Sequence, residues 1–356
     1  MWTAFGFALA LAIQPDHVGA VRFVVLFVLL VTTLVAKFFR LGWVGIAILL
    51  VAGIALRLGV ADHRASDVLD VTGYALRQAF LGVNPWGHGF DISRPPGAPL
   101  PYGPLELFWY SPSPDDPRAL ELFVSCVVLA VLAVRGRPVG LAVYATAPTL
   151  ILTATDGSND TSAGLLILVA LALAARRPWL GAVVLACAVA FKPYAAAWAP
   201  ALLVYGEVPA FAAFAVASAI VWAPSALSWG LDRYLVSLGM ADDTHHNTYW
   251  SLGVVWEEIT QRSAPQHLLD AMRLVVGAVA AVVSLPIVRS IDAVIVSGIL
   301  IFCIVMFGGY WGSYAYLGAL GPIICWRLDD WLGLAAPAII ARTPWAPRPS
   351  GVSSPG

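Results

Sequence analysis

The sequence predicts an all-α polytopic membrane protein with about 10–13 transmembrane helices. Three observations carry this reading. Hydrophobic residues make up 60% of the chain, and the mean hydropathy is +0.82. Charged residues make up 12%, where soluble domains hold about 25%. The apolar residues fall into runs near bilayer length, separated by polar connections. These runs lie at 2–13, 19–36, 41–60, 119–134, 138–154, 161–175, 179–191, 193–205, 210–227, 267–288, 293–308 and 315–326. The first has no basic flank and no small-residue cleavage site, so it reads as a short membrane helix, not a cleaved signal.

Short basic connections set the orientation. Lys37, Arg40, Arg135, Arg137, Arg176, Arg177, Arg289 and Arg327 punctuate alternate turns, which places those turns in the cytoplasm. The expected organisation is one integral-membrane domain over 1–341, followed by a disordered Pro/Ser/Gly-rich cytoplasmic tail over 342–356. Two long connections, 61–118 and 228–266, then face outward from the cell membrane. With a net charge of −1, the chain has no basic face for nucleic acid. Cys126, Cys187, Cys303 and Cys325 sit in apolar runs without CxxC spacing or a nearby His, which argues against a metal site or a disulfide framework.

The loop 61–118 is the anomaly in this apolar chain. Its stretch 66–81 reads as an amphipathic helix lying in the membrane interface. Asp67, Asp70, Tyr74 and Arg77 fall on one stripe, at i, i+3, i+7 and i+10. Val68, Leu69, Val71, Ala75, Leu76, Ala79 and Phe80 fill the other side. Ser66 is the expected N-cap and Gly82 the expected stop. The acids also suit the helix N-terminus on dipole grounds alone, so a plain surface helix is the competing reading.

Further along, Asn84-Pro85-Trp86-Gly87 and Pro101-Tyr102-Gly103-Pro104-Leu105 form rigid aromatic turns. Rings beside carboxylates suit a sugar, whose C–H faces stack while its hydroxyls seek acceptors. An interfacial aromatic belt explains any single ring as well. Four more features join the same face. The TDGSND turn at 155–160 contains Asn159. Lys192, one of two lysines in the chain, precedes Pro193 between apolar runs. Charge near membrane depth is expensive, so Lys192 reads as a phosphate ligand or as a snorkelling lysine. His245 and His246 sit in the loop 228–266, where a His can bond a phosphate or a sugar. Tyr310 and Trp311 belong to a glycine-aromatic turn over 308–314.

In their order, Asp70-x-x-x-Tyr74, Gly82-x-Asn84-Pro85-Trp86, Tyr102-x-Pro104-Leu105 and Pro112 resemble the first outer loop of GT-C glycosyltransferases. The likeness is nearest to glycosyltransferase family 87, the polyprenol-phosphate-mannose-dependent mannosyltransferases of actinobacteria. Ser158-Asn159-Asp160 and Ala190-Phe191-Lys192-Pro193-Tyr194 are similar to that family too, so the resemblance covers about residues 60–205. Trp86 stands where Tyr is commoner, and Gly103 where Pro is commoner. Three spans precede the loop where one is usual.

The resemblance implies a GT-C-like bundle with interfacial helices in the first outer loop. It implies a polyprenyl-phosphate sugar donor, with mannose as the sugar, and a lipid or glycan acceptor. Transfer would invert the anomeric centre on the outer face of the plasma membrane, among membrane lipids and with no cofactor. Asp70 is the first choice of general base and Asp67 the second. Lys192, His245 and His246 would hold the donor phosphate. Tyr74, Arg77, Asn84, Trp86, Tyr102, Asn159, Tyr310 and Trp311 would contact substrate. The chemistry fits: a base removes the acceptor proton, and cations hold the departing phosphate. A lipid or small-solute transporter or flippase is the alternative. It predicts internal repeats and ionisable residues at the midplane of broken helices, whereas here the polar groups gather on one face. A non-catalytic assembly subunit is the third reading, and it predicts that Asp67 and Asp70 are dispensable.

Overall fold

A computed structural model describes residues 42–61, 65–244 and 250–333. The predicted spans 2–13 and 19–36, the pair His245 and His246, and the tail 342–356 lie outside the described residues. Within them the chain is an all-α polytopic membrane protein. Its helices are α1 (Gly42–Gly59), α2 (Val68–Phe80), α3 (Pro104–Tyr110), α4 (Pro117–Val134), α5 (Pro138–Thr146), α6 (Pro148–Leu152) and α7 (Asp160–Ala174). They continue with α8 (Pro178–Phe191), α9 (Ala199–Trp229), α10 (Leu231–Thr244), α11 (Leu252–Thr260), α12 (Gln266–Ser284), α13 (Ile291–Phe307) and α14 (Tyr316–Trp331). Among the described residues, Gly42–Gly59, Pro117–Val134, Pro193–Trp229 and Gln266–Ile287 are long and apolar enough to cross a bilayer. α7, α8 and α13 are shorter apolar helices.

Proline sets several boundaries. Pro104, Pro138 and Pro178 open α3, α5 and α8, where the missing N–H would have no partner anyway. The predicted span 138–154 is instead two helices. Pro148 cannot continue α5, and Ala147 before it is held extended at φ −66°, ψ 118°. The runs 193–205 and 210–227 are separated by a break at Glu207, at φ 54°, ψ −154°, two residues before Pro209. The connection 228–266 contains the helices α10 and α11.

The chain divides into two compact units. Among the described residues, one comprises 42–56, 127–148 and 324–333. There the Asp329 carboxylate accepts the N–H groups of Val139 (3.2 Å) and Gly140 (2.9 Å), capping the orphan donors that open α5. Asp330 pairs with Arg137, and with Arg327 at 2.8 Å.

The other unit comprises Arg57–Cys126 and Thr149–Ile323. The stretch 65–118 lies in it and carries its own core. α2 forms largely as its sequence period predicts: Leu69, Val71, Ala75 and Leu76 are buried and Asp70, Tyr74 and Arg77 are exposed, but Phe80, expected on the apolar side, is exposed at the helix end. A two-residue antiparallel ladder pairs β1 (Gly89–Phe90) with β2 (Ala98–Pro99), in the register Gly89↔Pro99. Trp86, 1% exposed, anchors the loop. Its indole N–H donates to the Tyr102 carbonyl at 3.0 Å. Its ring meets Trp222, Trp229 and Tyr234 at centroid distances of 6.2, 5.6 and 5.3 Å. Gly103 seats the loop against the end of α8: a Cβ there would lie 2.2 Å from the Ala190 carbonyl oxygen. Its N–H donates to the Phe191 carbonyl at 3.3 Å.

Candidate functional site

The start of α2 and the 155–160 turn are stitched together by backbone. The Asp156 carbonyl accepts the N–H groups of Ala65 (3.1 Å) and Ser66 (2.8 Å), and the Gly157 carbonyl accepts Leu69 N–H (2.9 Å). Gly157, at φ +97°, lets the chains approach this closely, since a Cβ would sit 2.5 Å from the Ser66 carbonyl oxygen. The Asp156 carboxylate accepts the Tyr314 hydroxyl (2.7 Å) and the Ser158 N–H (2.9 Å). The predicted cap is shifted by one residue. Asp67 holds the N-cap position without a side-chain cap bond, and the Ser66 hydroxyl accepts Val68 N–H at 3.3 Å.

This stitching places Asp67 on the wall of a cavity of about 850 Å³. Its Oδ2 accepts the backbone N–H of Arg94. Across the wall, Lys192 Nζ and Asp160 Oδ1 form an ion pair at 2.8 Å, both side chains only 3% exposed. Local sequence explains the geometry of Lys192. Pro193 stops α8, so Lys192 adopts an extended backbone (φ −135°, ψ 123°) between α8 and the 3₁₀ turn Pro193–Trp198. The Tyr194 hydroxyl donates to Asp160 Oδ1 at 2.6 Å. The ammonium lies 4.9 Å from the Tyr102 ring centroid and 5.2 Å from that of Tyr194, so charge and two ring faces hold it together.

A third polar group lines the same cavity. Arg273 pairs with Asp270 at 3.0 Å, and Asp270 also accepts the backbone N–H of Tyr310 at 3.2 Å. Trp311 and Tyr316 add an edge-to-face aromatic pair with centroids 5.5 Å apart. Leu238, Ala241, Leu274, Val305 and Met306 supply an apolar stretch of wall. A smaller recess of about 70 Å³ shares Asp67, Val68, Arg94 and Tyr102 with the larger cavity.

Behind the wall, Glu106 accepts the Thr72 hydroxyl (2.8 Å) and the Asn159 amide. Burial pushes its carboxyl up to about 8, against smaller opposing effects of Thr72, Lys192 and Asn159. Burial also raises the Tyr102 phenol well above its usual range, with Glu106 and Asp160 adding to the rise. Tyr102 is therefore a neutral hydrogen-bonding group at physiological pH. Glu121 accepts the Tyr110 hydroxyl (2.5 Å) and the Ser162 N–H (3.1 Å).

The predicted site residues divide accordingly. Asp67, Lys192, Tyr102 and Trp311 line the cavity. Asp70 does not: it is exposed on α2, outside the lining. Arg77 sits 3.8 Å from Asp115 and donates to the Pro114 carbonyl at 3.3 Å, while Tyr74 meets Phe90 edge-on. Asn84 is a turn residue. Its amide donates to the Trp229 carbonyl (2.9 Å), and its Oδ1 accepts Trp86 N–H (3.0 Å). Trp86 is core, and Asn159 is buried behind the wall. Tyr310 reaches the site through its backbone N–H. Arg94, Asp270, Arg273 and Tyr316 line the cavity without having been singled out from sequence. The signal for two of them was present: Asp270 and Arg273 are charges at i, i+3 where an apolar helix begins.

The chain matches no protein-family model, and no characterised protein or solved structure is significantly similar to it.

Proposed function

We propose that this chain is a membrane glycosyltransferase that moves a sugar, mannose by its motif resemblance, from a polyprenyl-phosphate donor to a lipid or glycan acceptor. The transfer takes place on the outer face of the plasma membrane. One observation carries the reading: a carboxylate, a buried lysine–aspartate pair, an arginine and a set of aromatic rings share one cavity of about 850 Å³. That volume lies within the range of small-ligand sites, about 300–1,000 Å³. The aromatic faces suit sugar C–H surfaces, and the cations suit a phosphate.

The chemistry assigns roles. Asp67 takes the proton of the acceptor hydroxyl as its oxygen attacks the anomeric carbon. The bond from that carbon to the phosphate oxygen breaks on the opposite side, and the configuration inverts. The Arg94 backbone N–H orients the Asp67 carboxylate. Arg273 and Lys192 meet the phosphate as its charge grows, although each already holds a carboxylate. Asp67 takes precedence over Asp70 here because it lines the cavity and Asp70 does not.

The test is sugar transfer in membranes from radiolabelled polyprenyl-phosphate mannose to candidate lipid acceptors. Removing a general base costs about 10²–10⁴-fold in rate, so Asp67→Asn should lose that much while Asp70→Asn stays within a few-fold of wild type. Unchanged transfer by Asp67→Asn removes its assignment as base. Absence of transfer from any polyprenyl-phosphate sugar removes the class.

A further inference from the structure

We infer that Glu106 and Asn159 form a proton-dependent latch: a neutral carboxyl and an amide joined by two hydrogen bonds, holding the two chain segments that carry Asp67 and Asp160 in register. The structure contains one of these bonds. Asn159 Nδ2 donates to Glu106 Oε1, an oxygen that also accepts the Thr72 hydroxyl. Glu106, Asn159 and Thr72 are all fully buried. The other atom of each group, Glu106 Oε2 and Asn159 Oδ1, is buried with no hydrogen-bond partner among the described residues.

Both orphans are acceptors when the carboxyl is ionised, so neither can satisfy the other. A single proton on Oε2 changes this. It turns Oε2 into a donor toward the Asn159 carbonyl oxygen and completes an acid–amide pair in which each group gives and receives. The same burial that isolates the pair pushes the carboxyl up to about 8. The charged and titratable groups that act on it are Lys192 at the end of α8, Glu121 on α4, and the phenols of Tyr102, Tyr110 and Tyr234.

The consequence reaches both sides of the site. Thr72 belongs to α2, the helix that Asp67 opens, and Asn159 precedes Asp160, the partner of Lys192. Glu106 is therefore a positioning residue. The sign of its pH dependence is fixed. A carboxyl raised on folding contributes stability that is complete below its unfolded value, is lost as pH rises through about 8, and does not return at higher pH. The importance of this register rests on the proposed site; the pairing itself does not.

The test uses the purified full-length chain in detergent. Infrared difference spectra between wild type and Glu106→Gln should show a protonated-carboxyl stretch at neutral pH that fades through about pH 8. Glu106→Gln reproduces both bonds with an amide. It should unfold at the wild-type midpoint at pH 4.5 and below and lack the wild-type decline between there and about pH 8, whereas Glu106→Ala should fall at every pH. Absence of the band, or an equal decline in wild type and Glu106→Gln between pH 4.5 and about 8, overturns the latch. A Glu106→Gln chain that does not fold overturns it as well, since the amide supplies every proposed bond. None of these readouts needs sugar transfer, so the latch and the proposed activity stand or fall separately.

Discussion

Replacing Lys192 with Met leaves Asp160 a buried carboxylate with the Tyr194 hydroxyl as its partner among the described residues. The Lys192–Asp160 pair is 2.8 Å long, with both side chains 3% exposed, so water from the cavity takes over little of the lost role. Removing one member of such a pair costs about 3–5 kcal/mol, most of it for stranding the other charge. Replacing both members with neutral groups of similar size is far milder. Lys192→Met and Asp160→Asn should each destabilise by that amount, and the double variant should recover most of it, giving a coupling of about 2 kcal/mol or more. The assay is unfolding of the four proteins in one detergent, followed by Trp fluorescence under increasing denaturant. Additive losses, or single variants within about 0.5 kcal/mol of wild type as expected for exposed sites, would refute the reasoning that this pair is a coupled, buried ion pair.

Two other substitutions test the surroundings. Trp86→Ala removes a core ring and should cost about 3–5 kcal/mol of stability, read by the same denaturation assay. Under the proposed function, sugar transfer by the folded fraction should keep its apparent affinity for donor, because Trp86 lies outside the cavity lining. Gly157→Ala forces a Cβ to 2.5 Å from the Ser66 carbonyl oxygen at φ +97°, and should destabilise by about 1–3 kcal/mol. Gly82→Ala, at φ +78° with open space around it, should give the smaller loss of the two, which separates crowding from backbone strain.

Periodicity made α2 legible: the buried and exposed sides of 66–81 follow from a 3.6-residue repeat. The same logic put Asp70 first among the candidate bases, whereas the cavity wall holds Asp67. A polar stripe marks the side of a helix turned away from its apolar contacts, so Asp70 on that stripe points out. Asp67 sits where the backbone enters the helix, and its direction depends on the Asp156 and Gly157 carbonyls, about ninety residues later in the chain. Helix lengths failed where a single proline outweighed hydropathy, as at Pro148. Aromatic residues were ambiguous for a related reason. Trp86 and Trp311 have the same chemistry in sequence, and only packing separates a core ring from a cavity wall. Glu106 lay in plain view within the apolar run PLELFWY, where a carboxylate is costly enough to signal a built environment.

The short turn over 155–160 has a mechanical consequence. Its Asp156 carbonyl fixes the chain on one side of Asp67, its Gly157 carbonyl fixes the other, and its last residue is Asp160 itself. Asp67 and Asp160 are thus tied to one short turn, the first through backbone hydrogen bonds and the second covalently. Bilayers of different thickness tilt and shift membrane helices. Here one short turn touches both groups, so a change of lipid composition is expected to alter the depth at which a lipid-borne ligand meets them more than their separation.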